Sequence, residues 1–284
     1  MEIYDRKKKQ VIKIEDKKDS SYYLYNTFIG RFLLKLVLAR PWFSKFIGIF
    51  QSSRLSKGII NPFVKRNNID ISYWNISDFN SFNEFFRRKK DIEVCQEKDK
   101  LISIADAKLS VYKIDDGLRL KIKKSNYSLE EILGNKDHLE DFKNGLCLVF
   151  RLCVDDYHRY IFMDNGTLKD NYRIKGELHT VRPISEKYKV FSRNSREVSV
   201  IEYDNLGKCI QVEVGALLVG KIVNNEKIKF TKGEEKGYFE FGGSTIVLLL
   251  KENSVVIDRD IMEQIEKGRE VQVSVGEIIG KIRS

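Results

Sequence analysis

The sequence predicts an α+β protein in which a helical, basic N-terminal region precedes a β-rich domain with a barrel- or sandwich-like core. Three observations predict it. From residue 21 to residue 69 the chain carries eight cations (Arg31, Lys35, Arg40, Lys45, Arg54, Lys57, Lys65, Arg66), no acid, and a dense apolar and aromatic run over residues 28–50. From Leu101 onward the texture changes to short β-branched runs separated by turn residues, such as CLVFRLCV, CIQVEVGALLVGKIV and STIVLLL. The 284 residues, 42% hydrophobic and 32% charged, suffice for one large or two small domains with a real core. The boundaries expected are a charged lead-in over 1–20, an amphipathic helical region over 21–98 and the β-rich domain over 99–284.

The lead-in mixes both signs (Lys7, Lys8 and Lys9 beside Glu15, Asp16 and Asp19) and reads as solvated chain. In the next segment a cation interrupts the apolar run every four or five positions and Pro41 falls near its middle. A membrane span needs about 20 predominantly apolar residues, so two short helices lying in a membrane interface fit better. Each cation near an anionic leaflet contributes about 1 kcal/mol of attraction. A helical subdomain with a solvated basic face is the plainer alternative. Residues 53–95 read as helical, with Ser81 and Glu84 offering a capped start. YSLEEILG reads as a helix capped by Ser128 among the strands. The echo of VGALLVGKI (214–222) in VGEIIGKI (275–282) suggests a duplicated β element, or valine-glycine turns recurring by chance.

Composition excludes several classes. The net charge of +10 asks for an anionic partner: a membrane surface, a phosphorylated substrate or nucleic acid. Four cysteines (Cys95, Cys147, Cys153, Cys209) form no CxxC pair and no secretory segment is evident. They read as reduced thiols, against a secreted disulfide scaffold, a zinc ribbon or any other metal site.

Chemistry rests on few residues. His138 sits in KDHLEDFK and reads as solvated; His158 in DDYHRYIF and His179 in KGELHTVRP lie in polar, turn-like settings. EFGGSTIVLLL (240–250) places Gly242-Gly243-Ser244 directly before a buried apolar strand. Paired glycines reach backbone conformations closed to other residues. A serine that cleaves its own backbone needs this freedom, because its hydroxyl must approach the preceding carbonyl; the tripeptide is equally an ordinary turn.

Taken together, YNTFIGRFLLKL, RPWFSKF, SFNEFFRRK, ADAKLSVYKI, DDYHRYIF, KGELHTVRP, NSRE, VEVGALLVGKI, KGEEKGYFEFGGSTIVLLL and VGEIIGKI resemble, in order and spacing, the phosphatidylserine decarboxylase proenzymes. The resemblance runs from about Tyr25 to the C-terminus. It implies that the chain cleaves itself at Gly243-Ser244 into a β chain, 1–243, and an α chain, 244–284, which remain together as a heterodimer. It implies further that Ser244 becomes a pyruvoyl group, which forms a Schiff base with phosphatidylserine and releases carbon dioxide and phosphatidylethanolamine. Asp106 matches the family's aspartate and His158 its DYHR histidine. Many members carry a second histidine where this chain has Ile161, so the processing base is either His158 or, supplying the missing imidazole, His179. Arg159, Arg182 and Arg193 are the basic residues near the motifs that are candidates for the head-group phosphate. The implied location is peripheral, at the cytoplasmic face of the cell membrane. Two rival classes stay in view: a non-catalytic membrane-surface adaptor with a β module, and an RNA-binding β-barrel, which the lack of an aromatic stacking motif disfavours.

Overall fold

Ser244–Leu250 runs from two hydroxyl residues into five consecutive aliphatic ones, and every one of its residues is buried. A strand with both faces covered has this texture. In the computed structural model, which describes residues 1–13, 20–122, 125–134, 137, 139–217, 221–242 and 244–283, this strand lies in the interior of a ten-stranded sheet. Its neighbours are Gly207–Val214 and Leu146–Leu152, both antiparallel. Beyond Gly207–Val214 follow Arg196–Tyr203, Gly166–Ile174 and Lys229–Phe230. On the other side follow Ala107–Lys113, Glu270–Val273, Glu2–Asp5 and Gln10–Lys13.

Side chains alternate across a strand, and here the two faces feed two cores. Ile246, Leu248 and Leu250 pack with Tyr157, Tyr160 and Phe239 in one. Val247 and Leu249 pack with Tyr127, Leu129, Ile132 and Phe191 in the other. Two three-stranded sheets cover the first face: Ile222–Asn224, Glu235–Phe239 and Arg159–Ile161, and Val255–Ile257, Ile278–Ile282 and Lys100–Ile102. The arrangement is sandwich-like, with no closed barrel among the described strands. The two VG…GKI segments end in different small sheets, and residues 218–220 of the first lie outside the described residues.

The N-terminal region is a chain of short helices: Ser20–Asn26, Phe28–Leu33 continued by a π turn at Leu34–Leu38, Pro41–Ser52, a 3-10 turn at Arg54–Ile59 and Ile60–Asn67. Pro41 opens its helix rather than breaking one. Arg40 is extended and Pro41 takes the first helical position, where its missing N–H costs nothing. Phe82–Phe86 follows, with Ser81 accepting from the Glu84 amide, while the Glu84 carboxylate reaches the Asn80 amide. Leu129–Leu133 carries the full capping box of Ser128 and Glu131.

Two expectations need correction. Helix does not continue to residue 95: after Phe86 the chain is irregular, and Ile92 and Val94 pack on the main core. Nor is the start of the chain a solvated lead-in. Glu2–Asp5 pairs in parallel with Glu270–Val273, and Arg6 reaches Asp258, Asp260 and Glu277 at 2.6, 2.6 and 3.0 Å. Arg6 thus joins acids more than 250 residues away, while Lys7, Lys8 and Lys9 are exposed as expected and Glu15, Asp16 and Asp19 lie outside the described residues.

Candidate active site

Strand alternation places the Ser244 side chain on the same face as Ile246, toward the small sheet that contains Arg159–Ile161. Ser244 is fully buried, and its Oγ has no hydrogen-bond partner among the described residues. A buried hydroxyl ordinarily finds one. The backbone leading to it is held in place. The Phe241 ring lies 4.9 Å from Phe82, 5.1 Å from Phe86 and 5.9 Å from Phe63, and the Phe241 amide points to Asn83 Oδ1. Gly242 has φ +135°, a conformation reserved in practice for glycine. Gly243 lies outside the described residues, as does His138.

His158 immediately precedes Arg159–Ile161 and is completely buried, its ring 4.2 Å from Phe86. Nδ1 lies 2.8 Å from the Asp156 carbonyl oxygen. A carbonyl can only accept, so Nδ1 carries the proton and Nε2 holds the free lone pair. Nε2 has no hydrogen-bond partner among the described residues. Burial, above all, depresses the imidazole pKa to about 3; Arg88 and Lys108 add to this, while the Asp156 carbonyl and the Gly242 backbone oppose it. His158 is therefore a neutral imidazole at ordinary pH, with its basic nitrogen unoccupied and the backbone just before Ser244 close enough to act on it.

Asp106 stands apart from this pair. Its carboxylate accepts from the Val275 amide at 2.7 Å and meets Lys90 Nζ at 3.5 Å. It lines a polar cavity of about 450 Å³ with Arg88, Lys90 and Tyr157, and no hydrogen bond joins it to His158. The link between them is electrostatic: the buried Arg88 guanidinium acts on His158 and is itself acted on by Asp106.

His179 is occupied on both nitrogens. Nδ1 lies 3.3 Å from the Tyr25 hydroxyl and Nε2 3.2 Å from Glu177. The ring stacks on Tyr188 at 4.4 Å, and its backbone is clamped by Asn194. Burial lowers its pKa, against the pull of Glu177.

Sequence reasoning passed over the polar groups behind His158. Asp156 binds Lys108 at 2.7 and 2.8 Å, and burial raises its pKa to about 6 despite that cation. Its position two residues before the histidine, in DDYH, was the available signal. Cys153, Asp155 and Asp156 offer three possible metal ligands within 4.8 Å, but Arg151 already donates to the Cys153 sulfur and Lys108 already neutralises Asp156. Glu213 and Lys236 form a second enclosed pair at 2.8 Å, joined by Asn224. Of the arginines considered for the phosphate, Arg159 is held by Glu235 at 2.7 and 2.8 Å and Arg193 faces Glu177 at 3.7 Å; Arg182 lines a small enclosed cavity on the other side of the sheet.

The site thus holds a buried serine hydroxyl after a glycine-opened backbone, and a neutral imidazole on which that backbone acts. Residues 79–281 match the model of the phosphatidylserine decarboxylase family. The chain is 48% identical to phosphatidylserine decarboxylase proenzyme 2 of Clostridium acetobutylicum, over 98% of both chains. It is 40% identical to the phosphatidylserine decarboxylase proenzyme of Clostridium perfringens, over 99% of both, and 38% identical to that of Desulfitobacterium hafniense, over 99% of this chain and 98% of the other. The chain belongs to the phosphatidylserine decarboxylase family, whose members are carboxy-lyases made as proenzymes.

Proposed function

We propose that this proenzyme cuts itself between Gly243 and Ser244 and then converts phosphatidylserine to phosphatidylethanolamine and carbon dioxide at a membrane surface. One observation carries the reading: among the described residues Ser244 Oγ and His158 Nε2 are both buried without a hydrogen-bond partner, and the Gly242 backbone, just before the expected cut, acts on His158. In the first step His158 Nε2 takes the Ser244 hydroxyl proton as the oxygen adds to the Gly243 carbonyl, and the amide nitrogen leaves protonated. The product is an ester between Gly243 and the Ser244 side chain. Loss of the Ser244 α-proton then expels the Gly243 carboxylate. Hydrolysis with release of ammonia leaves a pyruvoyl group at the new N-terminus.

The residues present fit that group: the position is dry, enclosed on a strand, and flanked by an imidazole held in one tautomer. When formed, the pyruvoyl supplies an electron sink for loss of the substrate carboxylate. His158 then holds the proton that replaces it. Asp106 and Arg88 set the field around His158 from the neighbouring cavity, and His179, fully bonded, positions backbone rather than moving protons. The two product chains stay together because Ser244–Leu250 is an interior strand buried between two neighbours.

Among the described residues no helix is long and apolar enough to cross a membrane. Yet Phe28, Phe32, Trp42, Phe46, Ile49 and Leu55 are largely exposed beside Arg31, Lys35, Arg40, Lys45 and Arg54. Apolar groups ringed by cations suit peripheral attachment to anionic lipid, and four free thiols suit the cytoplasmic face. An adaptor without chemistry would leave the buried Ser244 and His158 without a purpose. Intact mass spectrometry of the wild type beside Ser244→Ala tests the reading. Two fragments meeting at 243/244, the smaller bearing a pyruvoyl mass, with the variant uncut, is the expected result; a single full-length wild-type mass would overturn it.

A further inference from the structure

A cavity of about 710 Å³ lies between the exposed helix Pro41–Ser52 and the end of the main sheet. Lys45 and Ile49 of that helix line it, together with Lys221, Glu240 and Gly215. Val214 pairs with Thr245 in the antiparallel ladder, so one step further Gly215 stands level with Ser244. The cavity therefore runs from the side chains that meet the membrane to the level of the reactive serine.

Its charge is distinctive. Lys45 and Lys221 form no ion pair or side-chain hydrogen bond with a described residue, whereas Lys108, Arg151, Arg159 and Lys236 of the sheet region each have a carboxylate partner. Arg173, also lining the cavity, acts on Glu197 at longer range. Glu240 is the one carboxylate among the described lining residues. A cavity with three cations and one acid complements a head group with two anionic groups and one amine.

We infer that Lys45 and Lys221 bind the lipid phosphodiester in this cavity, from the membrane side and the sheet side respectively, and so place the serine amine at Ser244. This rests on the decarboxylase reading and adds the residues that hold its substrate. A phosphate held by two ammonium groups is a charge-assisted contact, and losing one costs about tenfold in affinity. Such groups bind substrate and transition state alike, so their removal should raise KM and spare kcat.

The test uses full-length protein that has processed normally by mass. Lys45→Gln and Lys221→Gln are each assayed on phosphatidylserine in mixed micelles of varied surface concentration. Each variant is expected to raise KM about tenfold and the double variant about a hundredfold, with kcat within twofold of wild type, and Lys45→Arg with Lys221→Arg is expected to restore most of the loss. Sedimentation with phosphatidylcholine–phosphatidylglycerol vesicles is run in parallel. Raised KM in both variants, with vesicle binding unchanged in Lys221→Gln, supports the assignment. An equal loss of vesicle binding, meaning that the lysines serve only general attraction, or an unchanged KM in the double variant, would overturn it. A wild type that stays uncut would instead refute the decarboxylase reading itself.

Discussion

The N-terminal helices expose apolar side chains to water, while the sheet buries polar ones away from it. Phe28 is 79% and Leu55 82% exposed; His158, Ser244 and Glu213 are wholly enclosed. Each arrangement is costly in a free soluble protein: apolar surface left in water forgoes the stabilisation of burial, and a buried polar group without a partner loses its hydration. The two regions teach that the cost marks the function. Under the proposed function a lipid surface would cover the helices, and Ser244 Oγ and His158 Nε2 would be the polar atoms kept for the reaction. Phe82–Phe86 ties the two together. Asn83 donates to Ser52 Oγ at 2.9 Å, the Phe82 amide to Ser56 Oγ at 2.9 Å, and Phe86 rests on His158.

The sharpest way to break this contrast is to remove the polar groups one at a time. His158→Ala should slow self-cleavage by about 10²–10⁴-fold, the usual contribution of a positioned base, whereas His179→Gln, whose ring only joins Tyr25 to Glu177, should slow it less than about tenfold. Time-resolved electrophoresis of freshly translated chain measures both rates. The reverse ranking would move the base to His179.

Next in size is the apolar side. Phe28→Ser, Phe46→Ser and Leu55→Ser together should weaken sedimentation with anionic vesicles about a hundredfold, since each side chain contributes about 1 kcal/mol on partial burial in lipid. Self-cleavage, measured on the same preparation, should be unaffected. If vesicle binding survives the triple change, the exposed face is not the attachment surface.

The smallest effect concerns pH. His158 is ordinarily near 6.5 and is held at about 3 in the folded chain. As pH falls below 6.5 the unfolded chain takes up this proton while the folded chain does not, so stability is full above 6.5 and is lost as pH drops toward 3. Asp156, raised from 3.8 to about 6, works in the opposite direction and must be cancelled by comparison. Urea unfolding of uncut Ser244→Ala should show about 2 kcal/mol more loss between pH 7 and pH 5 than the same chain carrying His158→Gln. Equal losses would show that His158 is not held neutral by its surroundings.

Much was legible in the chain itself. The buried interior strand follows from STIVLLL and the helix caps from Ser81 and Ser128, because each depends on neighbours within a few residues. The acid-free stretch over 21–69 likewise reads directly as a surface for anions, since charge needs no folding to be counted. Tertiary structure alone decided the rest. It put Asp106 on Val275 and Lys90 rather than on His158, tied both nitrogens of His179, brought Glu2–Asp5 onto Glu270–Val273, and set Lys45 and Lys221 in the lining of one cavity. These relations join residues from about 15 to more than 250 positions apart. Local sequence specifies backbone conformation and polarity; which distant groups then share a low-dielectric space, and which lone pair stays free in it, is settled only when the sheet closes over them.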